Sequence, residues 1–318
     1  MTEALENLLD NVLGIEANEE VVLLVDAGTD ERVVETLSEG LVLRKAIPVV
    51  VQIPIPYVPG EECPASVAAL LRNADVAIEL TSLFIGSNRA RQDATAAGLR
   101  YAAMPGVRIS TFREGGPLTI DFDQIRPIAE AVGDAWTTAN EFRITTPGGT
   151  DLKGSIVGRP GRVLHGICRE RGSYMAPPDI EAGTAPLEGT TEGVAVIDAD
   201  LLFMGTGPLP EPVILHFRQG ELVDVEGSES GRLAEMLDRC NDDRMTNLAE
   251  VSLGLNPKGR ICDVPMETEA TLGSAHIALG NSIAYGGVVD AVAHLDAVMS
   301  DATLELDGTP FMVRGELV

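Results

Sequence analysis

The sequence predicts an α/β N-terminal domain built on a parallel sheet, followed by a mostly antiparallel β (α+β) C-terminal domain. Three observations carry this expectation. Short apolar runs alternate with helix-period segments from Val21 to about Met104. A long amphipathic helix then ends near Asn140, and the character of the chain changes at once. Beyond it, apolar and polar residues alternate between Gly-rich turns. We place a boundary there, with residues 1–140 as a Rossmann-like α/β domain and 141–318 as a second, α+β domain that carries the candidate metal-binding and catalytic residues.

Taken in order, the acidic N-terminus MTEALENLLDNVLG is helix-patterned, and VVLLVD, ending at Asp26, reads as the first strand. Asp30 to Lys45 places Val33, Val34, Leu37 and Leu41 on one helical face, and Val49–Val51 supplies the next buried strand. Pro64 to Asn73 reads as a helix, Val76 to Leu80 as a strand, Asn88 to Ala97 as a helix and Arg100 to Met104 as a short strand, which is an α/β layer pattern. The helix from about Asp123 to Asn140 carries Ile125, Ile128, Val132 and Trp136 at core spacing. The strands of the second domain come from EFRITTPGGTDLKGSIVGRPGRVL, VAVIDADLLF, PVILHFRQGELVDVEG and ATLELDG.

Composition narrows the function. A chain of 318 residues with 45% hydrophobic and 23% charged residues buries ordinary cores without disulfides. Asp and Glu number 49 against 23 Lys and Arg, a formal charge of −26, which repels phosphate backbones and anionic lipid surfaces. Nucleic acid and membrane are therefore not the expected partners. The four cysteines are scattered, with no metal-knuckle spacing, and no apolar run approaches membrane-spanning length. A cytoplasmic enzyme acting on a small molecule or short peptide is the expectation. The first strand is followed by Asp26-Ala27-Gly28-Thr29-Asp30 rather than G-x-G-x-x-G, so no dinucleotide cofactor is expected.

The chemistry-bearing residues collect in the second half. Only four histidines occur, and His276 and His294 fall in one Gly-rich segment that also offers carboxylates. In His294-Leu295-Asp296, strand alternation puts both ligand-type side chains on one face, where they converge on a cation. Glu250, in LAEVSLGLNP, reads either as a surface glutamate at a turn or as a buried carboxylate whose desolvation a cation relieves. Glu181, in PPDIEAGTAPLEGT, carries the same two readings. Tyr285 is either a donor to a developing oxyanion or a tyrosine packed at a core edge. His165 and His216 stand apart from any carboxylate pattern, and Arg169 and Arg171 read as solvated, or as receptors for a substrate carboxylate. No nucleophile elbow and no Ser/Cys–His adjacency is present.

The segments IEAGTAPLEGTTEGVAVID, AEVSLGLNP, GSAHIALG and AHLD, in that order and with TPGGTDL upstream, resemble the aminopeptidase T-like (leucyl aminopeptidase) metallopeptidase family. The resemblance implies Glu181, Glu250, His276, His294 and Asp296 as metal ligands and Tyr285 as an active-site tyrosine. It also implies two divalent ions (Zn, Co or Mn), a homodimer, and hydrolysis of an amide or peptide bond by activated water. Glu181 and Glu250 are then the candidates for ion bridging and proton transfer, alongside Asp296. Three carboxylates with a bridging hydroxide nearly neutralise two divalent cations.

That family is similar in fold to the 2,5-dihydroxypyridine 5,6-dioxygenases, which share the terminal H-x-D element and hold one Fe(II) with two histidines and an aspartate. There, as the resemblance implies, a histidine stands where Glu250 stands here, and apolar residues replace the counterparts of Glu181 and His276. The chain's length is closer to the dioxygenases. A metal-dependent hydrolase is thus the first expectation, an Fe(II) ring-cleaving dioxygenase the alternative, and a non-catalytic binding module the third.

Overall fold

The computed structural model describes residues 2–205 and 207–318. Its first layer is a five-stranded parallel sheet in the order Ile47–Gln52, Glu20–Val25, Val76–Glu79, Arg100–Ala103, Tyr174–Met175. The EVVLLV strand is buried at every residue after Glu20, as strands covered on both faces by helices must be. Its helices begin where short polar side chains satisfy free backbone donors. Asp30, Asn88 and Asp121 accept from the backbone N–H of Arg32, Arg91 and Gln124, starting Glu31–Leu43, Arg89–Ala96 and Phe122–Thr138. Each element expected between Val21 and Asn140 is present, its ends displaced by no more than two residues, but Ile47–Gln52, expected to be buried, is the edge strand of the sheet and leaves Val50 exposed.

The strand Glu20–Val25, second in the order, has its successor in sequence on one side and Val76–Glu79 on the other, so the loops after Glu20–Val25 and Val76–Glu79 flank the topological switch point. Asp26 occupies it. Its carboxylate accepts from the Gly28 N–H at 2.7 Å and from the Ser82 N–H and hydroxyl at 2.8 Å each. The chain's own carboxylate thus holds the donors that a phosphate would otherwise use.

Two antiparallel sheets make up the rest. Eight strands run in the order Glu221–Glu226, Val213–Arg218, Glu192–Ile197, Asp151–Ser155, Glu141–Thr145, Thr303–Leu306, Thr309–Val313, Glu316–Leu317. Six run in the order Asp200–Leu201, His294–Met299, Ala275–Gly280, Leu248–Gly254, Glu181–Thr184, Arg162–Leu164. The mixed α/β architecture with a parallel sheet and large antiparallel sheets is as expected. What the pattern did not show is that Tyr174–Met175 runs back to pair in parallel with Arg100–Ala103, with Tyr101 against Tyr174. A two-residue strand has no periodicity to read.

One large apolar cluster joins the two parts, running from Leu8 and Leu9 through Val132 and Trp136 to Ile277 and Leu295. Trp136 is fully buried, and its indole N–H donates to the Ala182 carbonyl at 3.0 Å. That bond ties the long helix to the Glu181–Thr184 strand, where the candidate site begins. Among the described residues, no helix is long and apolar enough to cross a membrane.

Candidate metal centre

The register of the six-stranded sheet puts all five expected ligands on one face. Asp296 pairs with Ala278, which pairs with Glu250; His294 pairs with Gly280; His276 pairs with Ser252, which pairs with Gly183; Glu181 pairs with Gly254. Residues paired across strands point to the same side, so four adjacent strands deliver five donors there. The residues between them are small, and this leaves the space. At Gly183 a Cβ would lie 1.6 Å from the Ser252 hydroxyl, so no larger residue fits.

The donors meet. The His276 Nε2 lies 3.0 Å from Glu181 Oε2 and 3.2 Å from Glu250 Oε1; the His294 Nε2 lies 2.8 Å from Glu250 Oε2 and 3.3 Å from Asp296 Oδ1. Two sets of three donors result, Glu181–Glu250–His276 and Glu250–His294–Asp296, with the ligand atoms of each within 4.8 Å of one another. Glu250 belongs to both, presenting one oxygen to each histidine. The surface reading of Glu181 and Glu250 is overturned, since they are 2% and 0% exposed.

Two features fit this donor set to a cation. The His294 Nδ1 lies 2.7 Å from the Asn281 carbonyl, which only accepts, so Nδ1 carries a proton. That leaves Nε2, which faces Glu250 and Asp296, as the atom that would ligate a cation held beside those carboxylates. The second feature is Asp179, completely buried with neither carboxylate oxygen hydrogen-bonded within the protein. Asp179, Glu181 and Glu269 form a further set of carboxylates within the same distance limit. An ionised carboxylate without donors is costly unless a cation compensates it.

Electrostatics report the same crowding. Burial, then the charges of Glu181, Glu250 and Asp296, holds the Asp179 carboxyl well above the usual range. Glu269 is raised by burial and then by Asp179 and Asp296. Burial also pushes Glu250 up, but its bonds to His276 and His294 overcome this and hold it low. Both imidazoles are raised well above their ordinary value against the opposing effect of burial, His276 by Glu181 and Glu250, His294 by Asp296 and Glu250.

Tyr285 reaches the site through Glu181, donating its hydroxyl to Oε1 at 2.6 Å, and its ring stacks on His294 with centroids 5.4 Å apart. Burial, then Glu181 and Glu250, raises its phenol well above the usual value. The tyrosine therefore donates to a carboxylate of the site.

Asp179, Glu269 and Asn281 were not singled out in the sequence. For Asp179 a signal existed, since it stands two residues before Glu181 in PPDIEA. Glu269 lies in the buried helix Pro265–Ala270 and has none. His216 corrects an expectation: its Nε2 lies 2.7 Å from Glu226 on the neighbouring strand, a carboxylate partner ten positions away that local pattern does not show. His165 Nδ1 accepts from the Ile167 N–H. Arg169 pairs with Asp123 at the surface.

Above the donors is a cavity of about 840 Å³, walled by the segment Phe84–Gln92 of the parallel-sheet layer and by Tyr174, Tyr285 and Phe203. His294 and Asp296 are 15% and 16% exposed towards it, whereas His276 and Glu250 are 1% and 0%. The Glu250–His294–Asp296 set is thus the more open one, presenting two donors to the cavity, whereas the Glu181–Glu250–His276 set presents Glu181 alone.

The family model described as NicX, 2,5-dihydroxypyridine 5,6-dioxygenase, matches residues 5–318. Among solved structures, the chain is similar to the 2,5-dihydroxypyridine dioxygenase from Pseudomonas putida KT2440, at 18% identity and a TM-score of 0.78, covering 99% of this chain and 96% of that one. It is also similar to wild-type AmpT, aminopeptidase T, from Thermus thermophilus, at 19% identity and a TM-score of 0.69, covering 99% and 98%. At these identities the structural likeness is one of fold. No curated protein matches. The comparisons support an enzyme with a metal-binding fold and place the dioxygenase ahead of the hydrolase that the motifs put first. With its match extending over nearly the whole sequence, the chain belongs to the 2,5-dihydroxypyridine 5,6-dioxygenase family.

Proposed function

We propose that this protein is a metal-dependent oxygenase that opens a hydroxylated aromatic or heteroaromatic ring, with Fe(II) held by Glu250, His294 and Asp296. The observation that carries the reading is that His294 and Asp296 both line the cavity with Glu250 behind them, in a chain of the dioxygenase family. A divalent metal there supplies Lewis acidity and, as iron, reactivity towards O₂. The protein's own residues do the rest. Asn281 fixes the His294 tautomer, Tyr285 packs the imidazole in place, and the aromatic walls exclude water from a planar ligand.

A second reading, an amide or peptide hydrolase with two ions, is favoured by one observation. Glu250 turns one oxygen to each histidine, and Glu181 and His276 would be left as donors that a single ion at the other set does not use. Glu181 or Asp179 is then the candidate for handling the proton of the attacking water.

One experiment separates the two. The protein is purified under chelation, reconstituted anaerobically with Fe(II), Mn(II) or Zn(II), and assayed for metal per chain. It is then given 2,5-dihydroxypyridine with O₂, or an aminoacyl anilide. Iron-dependent O₂ uptake with loss of the ring's absorbance supports the oxygenase. Two Zn or Mn per chain, with anilide cleavage and no O₂ uptake, refutes it in favour of the hydrolase.

A further inference from the structure

Three arginines line the cavity, Arg89, Arg91 and Arg162, and two of them combine partial burial with the lack of a carboxylate partner. Among the described residues, neither Arg91 nor Arg162 forms an ion pair, although the chain has 49 acidic residues against 23 basic ones. Each is half-buried and bonded only to a main-chain carbonyl, Arg91 to Gly86 and Arg162 to Ala284 at 3.1 Å. Both lie against tyrosine rings instead. Arg91 sits 4.2 Å from the Tyr174 centroid; Arg162 sits 6.0 Å from the same ring and 4.6 Å from Tyr285.

Two like charges at one ring repel, and burial opposes both. Tyr285, Tyr174, Glu181 and Glu250 offset this at Arg162, whereas Tyr174, Tyr101 and Glu79 do so only in part at Arg91, and an anion bound between the two forks would relieve the rest. The wall position matters, since both line the cavity that opens on His294 and Asp296. Arg162 lies on Tyr285, and Tyr285 stacks on His294, so a group held by Arg162 is one aromatic ring away from the more open donor set.

We propose that Arg162 and Arg91 receive a carboxylate of the substrate, so that the natural ligand is a carboxylated aromatic or heteroaromatic compound anchored at one end and presented to the metal centre at the other. A guanidinium fork matches a planar carboxylate through paired N–H donors, and the tyrosine faces suit a flat ring attached to it. The inference rests on the cavity's being the substrate site of the proposed enzyme.

Binding tests it without turnover. The Zn(II)-loaded full chain is titrated calorimetrically with 3-hydroxybenzoate and with 3-hydroxybenzamide, which differ only in the anionic group. The expected result is at least about tenfold tighter binding of the carboxylate, with Arg162→Met and Arg91→Met each losing that preference while leaving the amide unchanged. Arg162→Lys, which keeps the charge but not the fork, should retain part of the preference, and it serves where the methionine variant fails to fold. Equal binding of the two probes, absence of binding by both, a preference for inorganic phosphate over the carboxylate, or a preference that survives Arg162→Met overturns the assignment. A carboxylate preference with no O₂ uptake strikes only the oxygenase reading. O₂ uptake with no preference strikes only the anchor.

Discussion

Asp179→Asn should stabilise the metal-free protein and weaken its response to metal, two effects of opposite sign from one substitution. Asp179 is wholly buried, its oxygens accept no hydrogen bond within the protein, and Glu181, Glu250 and Asp296 add to the cost of its charge. Without metal the folded chain keeps this carboxyl protonated. The unfolded chain releases that proton near 3.8, so at pH 7 folding has to take it up again. The folded pKa lies above the unfolded one, so stability falls as pH rises through the window between them. Each pKa unit by which burial raises the group costs about 1.4 kcal/mol of stability once the pH exceeds the folded value. An asparagine removes the titration and can donate its amide to the neighbouring carboxylates. With chelator present, Asp179→Asn should therefore melt several degrees higher than the wild type, about 2–4 °C for each kcal/mol relieved. With metal added at about a hundred times its dissociation constant, the wild type should gain about 2.7 kcal/mol. The variant should gain less, because an ionised carboxylate has left the cluster. Paired thermal and urea melts with chelator and with metal read both effects. A variant less stable than wild type without metal, or one whose metal-linked gain is undiminished, refutes the reasoning.

Three further outcomes follow from the same geometry. Glu250→Gln takes one donor from each three-donor set, so elemental analysis should find metal content well below that of wild type, and turnover should fall at least about a hundredfold. Tyr285→Phe keeps the ring on His294 but removes the bond to Glu181, so metal affinity by competitive titration should fall about ten- to a hundredfold. Glu79 is fully buried, and burial pushes its carboxyl up to about 7 despite bonds from the Ile85 N–H, Tyr101 and Thr81. The folded state therefore holds a proton that the unfolded chain releases near 4.5, and stability should decline between about pH 4.5 and 7 and then level off. Glu79→Gln should flatten that decline by up to about 3 kcal/mol in urea unfolding, and an unchanged slope counts against it.

The layers and the donors were legible for different reasons. The strands and helices up to Thr138 declare themselves through unbroken apolar runs and helical spacing, with Asp30, Asn88 and Asp121 marking their starts. The five donors were legible because they sit in ordered local motifs, and His294 and Asp296 converge by simple alternation. That they meet at all depends on register across four strands, which a linear reading does not contain. The same limit hid Asn281, whose contribution is a main-chain carbonyl, and Glu269, which lies on a short buried helix. Arg91 and Arg162 were missed because an arginine without a partner is visible only once its surroundings are known. The two arginines that looked clustered, Arg169 and Arg171, are near each other in sequence and not at the cavity's tyrosines.

The Tyr174–Met175 strand has a consequence for how ligands come and go. It belongs to the stretch of chain that leads into the metal-facing sheet, yet it is bonded edge to edge with Arg100–Ala103 and supplies a tyrosine to the cavity wall. The parallel-sheet layer and the chain leading into the six-stranded sheet are therefore stitched together by main-chain bonds beside the cavity. Separating them means unzipping a sheet. A wider swing would have to break those bonds first, so trimming side chains at the mouth is the more direct route to admitting bulkier ligands.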